Sequence, residues 1–132
     1  MRPTEDLAMA SEAEKIVSDF CNVWPKCNLD EIMTFFTEDA VYHNIPMDPA
    51  KGKAAIRAVI NTFLPAAKKI EFKILKTASA GNTVFNERVD SFDLKDGKHI
   101  SLPVAGVFEV TGGKISAWRD YFDLAMYTKQ MA

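Results

Sequence analysis

Three short segments carry ionisable or hydrogen-bonding residues two apart: Tyr42 and Asn44, Arg88 and Asp90, and Trp118 and Asp120. Each segment otherwise reads as β-strand, where successive side chains alternate faces, so each pair points one way. Where those faces meet, two carboxylates, a guanidinium and two neutral polar groups share one space. An ionised carboxylate in an apolar setting is costly unless it is paired, and the donor fork of Arg88 can serve Asp90 and Asp120 together. One positive charge against two negative ones leaves an excess that protonation of one carboxyl removes. That leaves an acid beside a base, the pair needed to protonate a leaving oxygen while deprotonating an attacking water. Tyr42 and Asn44, on one face of a neighbouring strand, can hold that water.

Which face of each strand turns inward decides whether this cluster exists. Around Arg88 one phase is Val84, Asn86, Arg88, Asp90 and Phe92, and the other is Thr83, Phe85, Glu87, Val89 and Ser91. Neither is simply apolar, so burial alone leaves the choice open, and Arg88 with Asp90 also fits an exposed ion pair. In the last strand Asp120 shares its phase with Trp118 and Phe122, rings that are costly to leave in water, which turns Asp120 toward the concave side. The joint phasing of the three segments favours a site. His43 lies between Tyr42 and Asn44 and faces away; His99 lies beside a turn and reads as surface. Glu87, Asp93, Arg119 and Asp123 read as solvated. A greasy pocket wall is assigned to Trp118, Phe122, Phe92, Leu102 and Val104, with Trp24, Met33 and Cys21 contributed by helices.

The elements that must position these groups follow from pattern. Ser11 and Glu14 form a capping box ahead of Ile16, Val17, Phe20, Val23 and Trp24 at helical spacing, with a stop near Pro25 and residues 1–10 as a frayed lead. Asn28 with Glu31 opens a shorter helix whose apolar face is Leu29, Ile32, Met33, Phe35 and Phe36. A strand over roughly 38–45 and a loop with Pro46, Asp48, Pro49 and Gly52 lead to a third helix, marked by Ile56, Val59, Ile60, Phe63 and Leu64 and ended by Pro65. Gly81-Asn82, Asp96-Gly97 and Gly112-Gly113 then separate four strands over roughly 69–79, 83–94, 98–110 and 114–124. Pro103 cannot donate to a ladder and predicts an edge or a bulge. The order predicts one α+β domain over 1–132, a curved, mostly antiparallel sheet wrapped around N-terminal helices as a cone with one open mouth.

Composition narrows the function. The 132 residues are 48% hydrophobic with a formal net charge of -2, and no Lys/Arg cluster interleaves with aromatics, which argues against nucleic acid. No apolar run approaches a membrane span, and the first ten residues carry no hydrophobic signal core, so a soluble cytoplasmic protein is expected. Cys21 and Cys27 lack metal or redox spacing and read as free thiols. With two histidines and no histidine–carboxylate motif, neither a metal nor another cofactor is expected.

At the residues of the cluster the chain resembles a known family. VYHNIP (41–46), ERVD (87–90), GVFEVTGGKISAWRDYFDL (106–124) and the preceding helix order look like the limonene-1,2-epoxide hydrolases, whose fold is similar to the NTF2-like and ketosteroid isomerase cone. The resemblance covers nearly the whole chain and matches all five polar positions. It implies that Asp120 activates a water held also by Asn44 and Tyr42, that Asp90 protonates the epoxide oxygen, and that Arg88 bridges the aspartates. It further implies a single concerted step without a covalent ester, a mixed sheet with one deep pocket, no cofactor, and a homodimer formed across the sheet. The expected substrate is a small apolar epoxide, terpene-like or cyclic, converted to a vicinal diol. Two other functions stay open on the sequence: a proton-transfer isomerase or cyclase on the same cone, and a noncatalytic small-molecule-binding domain. An arginine between the carboxylates argues against the isomerase.

Overall fold

The computed structural model describes the backbone of residues 3–132 and the side chains of residues 7–132. Helix α1 runs over Pro3–Val23. It therefore starts upstream of Ser11 and Glu14, which lie mid-helix instead of forming a cap. Proline suits a first turn, and Leu7, Ala8, Met9 and Ala10 are good helix formers, so nothing breaks the helix before the periodic run. Glu14 accepts instead from the Ser79 hydroxyl at 2.7 Å. The stop is as expected: a 3-10 turn over Trp24–Lys26 with proline near its start, then Cys27 in the left-handed region at φ 51. Asn28 caps α2 (Leu29–Met33) by accepting from the Glu31 amide. Phe36 begins β1 (Phe36–Asn44), so Phe35 and Phe36 are not part of the α2 face.

The expected loop holds a two-residue strand, β2 (Ala50–Lys51), before α3 (Lys53–Ile60). A 3-10 turn over Leu64–Ala66 fills the space where α3 was expected to continue. Strands β3 (Ala67–Ala80), β4 (Thr83–Leu94), β5 (His99–Thr111) and β6 (Lys114–Tyr121) follow as an antiparallel meander. The chain then forms α4 (Leu124–Met131), which the pattern reading missed by extending the last strand to Leu124. The cap was visible in retrospect: Asp123, read as a solvated strand end, accepts from the Met126 amide.

The sheet has six strands in the order β2-β1-β6-β5-β4-β3, open and curved, and mixed because β1 pairs parallel with β6. A β-bulge helps to shape its inner face. Glu109 pairs with Ala117 but Val110 pairs with Ile115, so the register skips at Ser116 and both Ile115 and Trp118 are buried. Helix α1 packs on β3 and β4, and the core lies between the helices and the sheet's inner face. Phe20 of α1 meets Trp24, Phe35, Phe36, Phe108 and Trp118 edge-on, which fixes the Trp118 ring.

Pro103 occupies an edge within the sheet. It pairs with Val89 on β4, but β6 has already ended, since its last partner on β5 is Ala105 opposite Tyr121. Helix α4 covers this gap. Gln130 accepts from the Ser101 amide at 2.8 Å and donates to the Ser101 carbonyl at 2.9 Å, taking the place of a strand. Pro103, two residues on, turns its nitrogen to the same side, where no strand asks for a donor.

Candidate active site

Parallel pairing of β1 with β6 puts Tyr42 beside Trp118 and Asn44 beside Asp120. Antiparallel pairing continues the second row, with Asp120 opposite Gly106 and Gly106 opposite Asn86. Arg88 and Asp90 sit farther along the inner face of β4, opposite Val104 and Leu102. The strand phase that composition left open is thus the one carrying Asn86, Arg88 and Asp90 inward. Arg88 is 0% exposed, and Asp90, Asp120 and Asn86 are each 4% exposed.

Arg88 is the hub of the cluster. Its Nε donates to Asp90 Oδ1 at 3.0 Å, and its Nη2 donates to Asp90 Oδ2 at 3.0 Å and to Asp120 Oδ2 at 2.8 Å. Nη1 donates to Asn86 Oδ1 at 2.9 Å. The Trp118 indole donates to Asp120 Oδ1 at 2.8 Å, so both oxygens of that carboxylate accept from buried donors. The Tyr42 ring stacks on Trp118 with centroids 4.0 Å apart, and its hydroxyl donates to Asn44 Oδ1 at 3.1 Å. That bond leaves the Asn44 amide nitrogen as a free donor and the Tyr42 oxygen as a free acceptor.

The electrostatics of the cluster act on Asp90, Arg88 and Tyr42. Burial raises Asp90 from 3.8 to about 6, against the lowering pull of Arg88 and with a further push from Asp120. Burial opposes the charge on Arg88, but Asp120 and Asp90 outweigh it and hold the guanidinium protonated. Burial, then the Asp120 charge, keeps the Tyr42 phenol protonated well above its ordinary range. Asp90 is therefore a buried carboxyl that holds its proton to higher pH than an ordinary aspartate, set beside a fixed cation.

Asp90 and Asp120 line a cavity of about 280 Å³ whose other walls are mostly apolar. Tyr42 and Asn44 reach it from β1, as do Phe92, Leu102, Val104 and Phe122 from the rest of the expected wall. Four assigned wall residues do not. Trp118 lies under Tyr42 as the donor to Asp120, and Trp24 and Met33 are buried in the core behind the wall. Cys21 lies behind Asn86 and faces a second cleft between α1 and β3, where burial pushes its thiol up to about 12. Their apolar character suited all four to a wall, but packing turns them into the core. His43 bonds the Met47 carbonyl and His99 pairs with Asp93, both on the exposed side.

Pattern reading missed Asn86 as a ligand of Arg88, Trp118 as a donor, and Tyr127 and Met131 of α4 as walls. The signal for Asn86 was present, since it shares a phase with Arg88 two residues on. Among the described residues no group of three or more His, Cys, Asp or Glu is arranged to hold a metal ion, and no helix is long and apolar enough to cross a membrane.

The chain is similar to known proteins in both sequence and fold. Epoxide hydrolase EphG of Mycobacterium tuberculosis is 29% identical over 108 residues, covering 82% of this chain and 71% of EphG. The solved structure of an M. tuberculosis LEH-like epoxide hydrolase matches with a TM-score of 0.80 and 28% identity, over 92% of this chain and 90% of that one. A protein of ketosteroid isomerase-like fold from Catenulispora acidiphila matches with a TM-score of 0.76 and 22% identity, over 87% and 90% of the two chains, a likeness of fold. The model of the limonene-1,2-epoxide hydrolase catalytic domain matches residues 11–132, and the chain belongs to that family.

Proposed function

We propose that the protein hydrolyses a small apolar epoxide, terpene-like or cyclic, to a vicinal diol in one concerted step without a cofactor. The observation that carries this reading is the Arg88 bridge. One guanidinium nitrogen lies 3.0 Å from Asp90 and 2.8 Å from Asp120, at the wall of an apolar cavity. In the reaction a water on Asp120 loses a proton to that carboxylate as its oxygen bonds an epoxide carbon. The C–O bond breaks, and Asp90 gives its proton to the departing oxygen. Two protons move, and one water is added across one bond. The free Asn44 donor and Tyr42 oxygen hold the water, while Arg88 stays charged and keeps the excess negative charge between the carboxylates small.

The test is turnover of a panel of cyclic, linear and terpene epoxides by the purified protein. Diol above the solvent rate supports the reading, and none with any member refutes it. We also propose that the chain forms a homodimer through the outer face of the sheet. Phe85 and Tyr121, 45% and 47% exposed, stand there beside Val89, Pro103, Ala105 and Val107. Light scattering that gives the mass of one chain would remove that part of the reading.

A further inference from the structure

We infer that Asn86 and Gly106 are positioning residues that together seat the Arg88 guanidinium between the two aspartates. The inference rests on the hydrolase reading for its kinetic consequence, but the seat itself is a matter of geometry. Asn44, Asp120, Gly106 and Asn86 stand in one row across β1, β6, β5 and β4. Three of the four carry polar side chains, and the fourth position is blank.

Arg88 fills that blank. Its backbone lies opposite Val104, two residues along β5 from Gly106, so its guanidinium leans diagonally to reach Asp120. A Cβ on Gly106 would collide with Arg88 Nη1, and would lie 2.9 Å from Asn86 Oδ1 and 3.0 Å from Asp120 Oδ1. The glycine here answers a demand for space, since its φ is not in the left-handed region.

Asn86 closes the far side of the seat. A guanidinium has only donors, so the amide must turn Oδ1 to Nη1, leaving Nδ2 toward Cys21 Sγ at 3.8 Å. With Nη1 held there, Nη2 can serve both carboxylates at once. The acceptor is also neutral, so it anchors the cation without drawing it away from Asp90 and Asp120. Neither Asn86 nor Gly106 lines the cavity, so neither touches substrate. The groups facing Arg88 are Asp90 on its own strand, Asp120 from β6, Tyr42 from β1 and Cys21 from α1. The Phe72 and Phe108 rings lie 5.2 and 5.7 Å from its central carbon.

The experiment joins kinetics to nitrogen-15 NMR of Arg88. In the wild-type protein the two anchored ends block rotation about Nε–Cζ, so the Nη1 and Nη2 signals are expected to be separate. Asn86→Leu removes the acceptor at similar volume, and Gly106→Ala fills the seat; either should merge or broaden those signals. With an epoxide that the wild-type protein turns over, kcat should fall roughly 10–100-fold while KM stays within about twofold. The pH limb governed by Asp90 should move to higher pH, because a displaced guanidinium no longer favours its carboxylate. A merely structural role would lower Tm and leave kcat and the limb in place, which overturns the inference. Averaged Nη signals in the wild-type protein overturn it even when neither variant folds. Separate signals that merge in Asn86→Leu, from a protein that opens no epoxide, would keep the seat and remove the hydrolase reading.

Discussion

In the proposed reaction Asp90 delivers a proton, which exists only while its carboxyl is protonated, and burial holds that carboxyl at about 6, against 3.8 for an ordinary aspartate. The protonated fraction is half at about pH 6, roughly a tenth at pH 7 and roughly a hundredth at pH 8. An epoxide does not titrate in this range. The value of kcat/KM should therefore fall about tenfold for each pH unit above about 7, with an apparent pKa that belongs to the Asp90–Asp120 pair. Stability should respond in the same window. The folded chain binds this proton more tightly than the unfolded chain, so the group's favourable contribution is full below about pH 4 and is lost as pH rises through about 6. Two pKa units correspond to about 3 kcal/mol. The assay is initial diol formation across about pH 5 to 9 at constant ionic strength, corrected for solvent hydrolysis, with Tm at each pH to separate unfolding from titration. A carbon-13 titration of the Asp90 carboxyl locates the proton directly. A profile that is flat or rising between about pH 6 and 8.5 would show that the deprotonation of Asp90 does not limit the reaction.

The remaining predictions concern the two aspartates and the source of oxygen. Asp90→Asn and Asp120→Asn should each lower kcat by roughly 10²–10⁴-fold with the far-ultraviolet circular dichroism unchanged, and the double variant should be hardly worse than either single one. Near-wild-type kcat in a folded single variant removes that aspartate from the mechanism. In a single turnover with enzyme in excess in oxygen-18 water, the label should enter the diol at once; label found in Asp120 would instead reveal an ester intermediate.

Much of the architecture was legible because its signals are local. Glycine-marked hairpins fixed the meander, and Pro25 with Asn28 fixed the break between α1 and α2. What escaped depends on contacts distant in sequence. Helix α4 has no buried residue, so it lacks the apolar stripe by which a helix is recognised. β2 is two residues long and exists only because β1 lies beside it. The five polar cluster positions could be grouped by strand phase, and the Arg88 bridge could be read from its donors, yet phase alone could not say what lets Arg88 lean toward Asp120. That lean depends on a glycine on another strand. The misassigned walls share one cause: Trp24, Met33, Cys21 and Trp118 are apolar enough for a pocket, and apolarity does not distinguish the lining of a cavity from the packing behind it.

The attachment of α4 divides the cavity between two kinds of material. The groups of the proposed reaction ride on the central strands, cross-braced by the ladder and by the aromatic cluster around Phe20. Tyr127 and Met131 ride on a helix tied down by Gln130 to Ser101 and by Lys98 to the Met131 carbonyl. Part of the contour is thus inherited through a segment separate from the strands that carry Asp90 and Asp120. The last nine residues can be rewritten to reshape that part of the cavity while the frame that holds Asp90, Arg88 and Asp120 keeps its register, so on the proposed reading selectivity can drift without the reaction being reinvented.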